Sequence, residues 1–380
     1  MKLYSIICAL FCFVLSSCSR PTGAEYGQII DTLYTPSYAE GFEILESTKG
    51  VVIKTTVQNS GQVEYTLISD DASLVSENLT VVAPTVNRVA VMSTSYIAFL
   101  AALERQQSIC GVSGAQYVSN ADVLDMIAQG SVSDIGMEGA INYEVLSAIK
   151  PDVLLSYGLG SQNLSAGAKL SELGVRSVSI CDYLECSPLG RAEWIVVIGE
   201  IMGLRQQAID IFKGIESRYL ALNNLTHGLE KPKVMFNIPW RDTWYIPSPE
   251  NYTVQLINDA GGDYICDDND SGRGQWGDGL SRAISSEQGF VWAKQADVWL
   301  NTNAVKNKAE LLENNANFAS TKPFQSGRIY NNNLRETEMG GSDFWENGVI
   351  NPDIVLADLI KILHPELLPE HKLFYHRHIN

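Results

Sequence analysis

Tryptophan, tyrosine and arginine gather where the chain leaves short apolar runs, and that combination suits gripping a flat, partly anionic molecule. Tyr117 follows SICGVSG, and Tyr157 ends DVLLSYG. Trp240, Arg241 and Trp244 follow KVMFNIP, and Trp276 lies in the Gly-rich stretch SGRGQWGDG. Arg335 follows RIYNNN, and Asp343, Phe344 and Trp345 sit together in GGSDFWENG. Large rigid rings bury area at little entropic cost, and a guanidinium can fork onto a carboxylate or catecholate. Ordinary packing explains any one of these rings; the set carries more weight than its members. Trp194, Trp292 and Trp299 fall inside helix or strand patterns and are assigned to the core.

Bond-breaking chemistry has less to work with. The chain holds no G-x-S-x-G elbow, no H-E-x-x-H pair and no P-loop. Its first histidine is His227, so a Ser–His arrangement would lie wholly in the second half. A carboxylate pair stays open in so acidic a chain. Direct zinc or manganese binding would need His and carboxylate ligands from both halves. His364, His371, His376 and His378 instead sit in or beyond the last predicted helix and read as a surface tail. The expectation is a binding protein, not an enzyme, with no catalytic residue, no metal ligand and no intrinsic cofactor.

The first residues, MKLYSIICALFCFVLSSC, combine one cation, an apolar run from Ile6 to Leu15 and small residues before a cysteine. That pattern is a secretory signal, too short to span a bilayer permanently. Leu15-Ser16-Ser17-Cys18 looks like a bacterial lipobox, which would leave Cys18 lipidated and the protein exported, anchored and facing the periplasm. Four cysteines would then remain: Cys110, Cys181, Cys186 and Cys266. Their spacing fits no zinc ribbon or C-x-x-C motif, and buried free thiols are the blander reading. Lys plus Arg number 27 against 44 acids, a net charge of −17. Such a surface repels nucleic acid and anionic headgroups, leaving a small molecule, a protein partner and the lipid anchor as expected contacts.

These residues need a frame. The expected boundaries are a signal peptide at 1–17, a lipidated tether at 18–41 and an N-terminal β extension at 42–85. A first lobe follows at 86–188, one long bridging helix at 189–222 and a second lobe at 223–380. The extension alternates as VVIKTTV, VEYTLI and LTVVA. Within each lobe, strands apolar on both faces alternate with helices, which implies parallel sheets covered on both sides. Ligands of such sheets sit beyond the carboxyl ends of the strands. From Trp194 to Tyr219 apolar residues keep helical spacing, predicting one unbroken rod. The fold class is α/β: two lobes with mainly parallel sheets joined by one long helix, plus the β extension.

The lobes echo one another. NYEVLSAIKPDVLLSYG and SSEQGFVWAKQADVWLNT each place an acid at a helix start, then an Asp, then a buried strand. Glu144 and Glu287 precede Asp152 and Asp297 by eight and ten residues. The helix dipole, worth about 0.3–1 kcal/mol, accounts for one such acid. A matched pair points to twofold use of the surface.

The order RVAVMSTSY, ICGVS, YEVLSAIKPDVLLSYG, ELGVRSVSI, long helix, WYIPSPENYTVQLINDAGG, SSEQGFVWAKQADVWL and GGSDFWENGVINPDIVLADL resembles a known family over about residues 86 to 370. It is that of the substrate-binding proteins of ABC importers for iron–siderophores, haem and cobalamin. The resemblance implies a monomer with a ligand cleft between its lobes, little lobe movement, and one glutamate per lobe docking onto arginines of a dimeric permease. Glu144 and Glu287 stand at the matching positions. It implies a metal chelate as ligand, an iron–siderophore first. The Asp beside aromatics in SDFW and the aromatic at Tyr157 leave a corrinoid open, and haem stays close behind.

Overall fold

The computed structural model describes residues 23–57, 61–71, 74, 79–137, 139–157, 164–266, 280–302 and 304–380. Cys18 and Trp276 lie outside the described residues. The extension begins earlier than its alternation announced. β1 (Ile29–Tyr34), β2 (Phe42–Ser47), β3 (Gly50–Val57) and β4 (Gln62–Ile68) form an antiparallel sheet, closed by the parallel strand β5 (Thr80–Val82). β1 therefore falls within the segment expected to be tether. Its first four residues are exposed and only Leu33 and Tyr34 turn onto the core, so it carries no two-faced pattern to read.

Two buried carboxylates tie this sheet down. Glu193 accepts the N–H groups of Ser37, Tyr38 and Ala39, each at 2.8 Å, and the Tyr34 hydroxyl at 2.7 Å. Glu185 accepts the N–H groups of Glu40 and Gly41, both at 3.0 Å, and the Trp194 indole at 2.9 Å. Phe42, Ile44 and Ile53 share one core with Trp194 and Ile195. The extension is part of the body, not a detachable spacer.

The first lobe is a parallel sheet in the order β12-β11-β6-β7-β8. Its strands are β6 (Val89–Val91), β7 (Ile109–Val112), β8 (Ser133–Asp134), β11 (Val153–Ser156) and β12 (Ser177–Ser179), with a small hairpin of β9 (Gly136–Met137) and β10 (Ala140–Ile141). The second lobe is again a mainly parallel sheet, in the different order β16-β13-β18-β19-β20, where only β20 runs antiparallel. There β13 is Lys233–Phe236, β16 Asp263–Tyr264, β18 Val298–Leu300, β19 Ile329–Asn331 and β20 Arg377–His378. Beside it stands a three-stranded antiparallel sheet of β14 (Pro239–Trp240), β15 (Thr243–Pro247) and β17 (Ser281–Ser285).

The echo between lobes has a structural cause. Asp152 accepts the N–H groups of Asn87 and Arg88 at 2.8 and 2.9 Å, while its own N–H donates to the Arg88 carbonyl. Asp297 accepts the Lys233 N–H at 2.8 Å and donates its N–H to the Lys233 carbonyl. Each aspartate pins the start of one parallel strand to the start of its neighbour.

Two expectations need correction. The bridge is not one rod but three helical segments, Pro188–Glu193, Ile195–Ile201 and Arg205–Asn223. The longest, of 19 residues, spans about 28 Å. Gly203 takes φ +69°, the left-handed conformation that ends helices and favours glycine. The histidine tail is not loose on the surface either. It returns as β20, and fully buried Asp358 of the closing helix Pro352–Leu363 collects it. Asp358 accepts the N–H groups of Phe374, Tyr375 and His376 and bonds the rings of His371 (2.7 Å) and His376 (3.0 Å).

Burial pushes the Asp358 carboxyl up, but the His376 and His371 bonds and the Phe374 N–H outweigh it and hold the group below its ordinary value. A depressed carboxyl stabilises the fold above its unfolded value of about 3.9, and that contribution fades as pH falls further. The stability gap between the wild type and Asp358→Asn in urea should therefore be largest near neutrality and shrink below about pH 4; a gap that widens on acidification would contradict the clasp. Glu193→Ala should cost on the order of 3 kcal/mol in the same assay, because buried N–H groups lose their acceptor.

Candidate functional site

The segment Arg335–Asn351 follows β19 of the second lobe and packs against the first at the helix Thr94–Ala102, Val118 and Ser119. A shallow cleft with about 20 Å³ of room lies beside it. Pro188 and Arg191 wall one side, Tyr252 and Leu256 another, and Phe344 and Trp345 a third. The helix Asp343–Asn347 sets Trp345 outward, 52% exposed, with the Phe344 ring edge-on to it at 4.9 Å. Phe344 is braced from behind by Tyr375 and His376, so the clasped tail positions a cleft wall.

The cations of this region are compensated. Arg191 pairs with Asp182 at 3.0 Å and lies 4.3 Å from the Tyr252 ring centroid. Arg335 pairs with Asp343 and covers the Phe374 ring at 4.3 Å, while Asn347 donates to the other Asp343 oxygen at 2.5 Å. Arg335 and Asp343 were each expected to face ligand; in the structure they first satisfy one another. Arg241, at the tip of the β14–β15 hairpin with φ +56°, stacks 4.5 Å from the ring of Trp240, itself 60% exposed. Tyr117 is exposed beside the first lobe's strand ends, and half-buried Tyr157 meets Tyr183 edge-on at 6.3 Å.

Trp244 is a correction. It is fully buried, stacks on Trp299 at 5.9 Å and meets Phe290 and Phe318, with its indole N–H on the Phe236 carbonyl. It is core, as Trp194, Trp292 and Trp299 are. The hairpin geometry explains the error: Trp240 and Trp244 lie four residues apart across a tight turn, and only the first points out.

Sequence reasoning missed two features. Asn237 and Asn301 end β13 and β18 in left-handed conformations, with the Asn301 amide donating to the Asn237 side-chain oxygen at 2.7 Å. Their signal was an Asn directly after a buried strand. Glu346, inside the very motif that supplied Phe344 and Trp345, is fully buried. Glu144 and Glu287 stand exposed in the first turns of their helices. The caps themselves are Asn142 and Ser285, each accepting an N–H at 3.1 Å. Among the described residues neither glutamate makes a hydrogen bond or ion pair, so capping does not occupy them.

Cys110 and Cys181 are buried free thiols. Among the described residues no set of three His, Cys, Asp or Glu side chains is placed to hold a metal ion, and no helix is long and apolar enough to cross a membrane.

Two lobes with mainly parallel sheets, joined by a helical bridge and with an aromatic cleft where that bridge meets the second lobe, are the architecture of a solute-binding protein. A family model described as periplasmic binding protein matches residues 89–332, and the chain belongs to that family. An uncharacterized lipoprotein of Methanocaldococcus jannaschii is 28% identical over 309 residues, spanning 79% of this chain and 70% of that one. Among solved structures, a periplasmic solute binding protein from Veillonella parvula aligns at TM-score 0.58 and 16% identity over 83% of this chain and 87% of its own. A periplasmic heme binding protein from Pseudomonas aeruginosa aligns at TM-score 0.56 and 16% identity over 74% and 93%. At such identities these likenesses speak for the fold.

Two tryptophan deletions separate cleft from core. Trp244→Ala should lower unfolding free energy by about 3–5 kcal/mol. Trp345→Ala should change it by roughly 0.5 kcal/mol or less in the same denaturation experiment. Equal losses would remove Trp345 from the solvent-facing wall.

Proposed function

We propose that this chain is the extracytoplasmic substrate-binding component of an ABC importer, capturing an iron–siderophore-type metal chelate and passing it to the permease. The supporting observation is the cleft walled by Arg191, Tyr252, Phe344 and Trp345, where the helical bridge meets the second lobe. Aromatic rings on two of its walls suit a flat chelate, and burying them against it is the main source of affinity. Haem or cobalamin is the second reading, and one observation favours it. Asp182 and Asp343 already compensate Arg191 and Arg335, so those two arginines add little net positive charge for a polyanionic siderophore.

Glu144 and Glu287, exposed and uncommitted, serve in this reading as the docking acids for a dimeric permease. Cys18 carries the lipid, and the mature protein faces the periplasm as a monomer. No catalytic step and no resident cofactor are part of the reading.

Two experiments bear on it. The protein purified from its native host should carry a visible chromophore, and a ferric chelate, haem or corrinoid would each give its own bands. Tryptophan quenching with ferric hydroxamate, haemin and cyanocobalamin should then rank them, with Trp345→Ala weakening the winner about tenfold or more. A colourless protein indifferent to all three overturns the ligand class. Separately, Glu144→Lys with Glu287→Lys should abolish uptake while leaving solution affinity within about twofold; lost affinity would place these acids in the binding site instead.

A further inference from the structure

We propose that Glu346 is the positioning residue that sets the cleft: its carboxyl holds the strap Arg335–Asn347 against the first lobe, and loss of its proton loosens that hold. The bearing on ligand rests on the cleft reading above, whereas the contact itself does not.

Glu346 reaches from the second lobe to the first. Its Oε2 accepts the Ser119 N–H at 2.8 Å, across 227 positions of sequence. Its side chain is fully buried, and its Oε1 and the neighbouring Ser119 Oγ have no hydrogen-bond partner among the described residues. The strap is pressed close at a second point. A Cβ on Gly341 would lie 2.3 Å from the Val118 carbonyl oxygen, so only glycine permits this approach. The loop is held in shape by Thr337, whose N–H donates to the Gly341 carbonyl and whose hydroxyl accepts the Gly341 N–H, both at 2.8 Å. Phe344 and Trp345 flank Glu346 on one side of this seam, and Tyr117 precedes Val118 and Ser119 on the other.

The surroundings give the carboxyl few charges to answer. The helix Thr94–Ala102, packed against Asp343–Asn347, carries no charged residue, and its one titratable group, Tyr96, donates to the Ile180 carbonyl at 2.8 Å. On the loop of the first lobe Tyr117 is exposed. On its own helix Asp343 is a like charge, paired with Arg335. Burial pushes the Glu346 carboxyl up to about 7, against the Ser119 and Asn120 groups that favour the anion, and Asp343 adds to the rise. An acid raised in the fold favours the folded contact below its ordinary value of 4.5, and that advantage is lost as pH climbs to about 7. Protonated, the carboxyl can accept from Ser119 with one oxygen and offer a proton with the other. Ionised, it leaves a buried charge with no cation beside it. The strap is therefore firmest on the acidic side of neutrality.

Hydrogen exchange on the full chain without any ligand tests this. Amides of residues 117–120 should exchange faster in the wild type than in Glu346→Gln, and that ratio should rise about tenfold between pH 6 and pH 8. Glutamine keeps the acceptor and cannot ionise, so a merely structural role would leave the ratio flat, and a flat ratio overturns the proposal. In the Gly341→Ala background, which props the strap off Val118, the same ratio between Glu346 and Glu346→Gln chains should be equal at both pH values; a ratio that still rises tenfold there also overturns it. Because no ligand is present, a wrong ligand class would leave these outcomes unchanged.

Discussion

A buried carboxylate that gathers backbone N–H groups from a distant part of the chain is the joint on which this structure depends. Glu193 is the clearest case, accepting three consecutive amides and a tyrosine hydroxyl from residues more than 150 positions earlier. Taking a carboxylate out of water costs several kcal/mol. Hydrogen bonds to a charged group return roughly 1.5–3 kcal/mol each, so four of them offset the cost and three would scarcely do so. Such a joint is all or nothing, and it fixes position as an apolar patch cannot. Glu185 repeats it next door and Asp358 uses it to close the tail, while the half-exposed Asp152 and Asp297 make smaller versions at the starts of their sheets. A chain with a net charge of −17 shows most of its acid to solvent, while these few carry the architecture.

What could be read from the sequence follows from which interactions have a period. Strands apolar on both faces and helices between them were legible, because parallel sheets impose that text on every copy of the unit. The break in the bridge was not, because the apolar spacing runs through it: Ile198, Ile201 and Met202 precede Gly203, and Ala208, Phe212 and Ile215 follow in phase. Periodicity reports which face is buried and says nothing about whether the axis continues. The tail failed for a related reason. His371 and His376 are held by a single acid, Asp358, and no pattern in residues 364–380 announces where their partner lies.

The candidate site was legible only in part: Phe344 and Trp345 line the cleft, whereas Trp244 turned inward and Arg335 turned onto Asp343. Both outcomes come from local geometry. A two-residue hairpin alternates its side chains, and an arginine eight positions before an acid on a tight loop finds that acid before it finds a ligand. The cleft that results is aromatic and close to electroneutral at Arg191 and Arg335. Its selectivity must come from shape and stacking more than from attraction at long range.

Restricted lobe movement was expected from an unbroken rod, and the rod does not exist. The segments Ile195–Ile201 and Arg205–Asn223 nevertheless pack side by side, since Gly199 lets the second approach so closely that a Cβ there would lie 2.5 Å from Ala208. The extension grips the same region through Glu185 and Glu193. On the far side the strap from Arg335 to Asn347 touches the first lobe at Val118 and Ser119. Stiffness therefore arises from two attachments on opposite edges of the cleft, one apolar and clamped, the other narrow and resting on a single buried acid. If the lobes part at all, the weaker edge gives first, because an interface yields where few groups must be desolvated together.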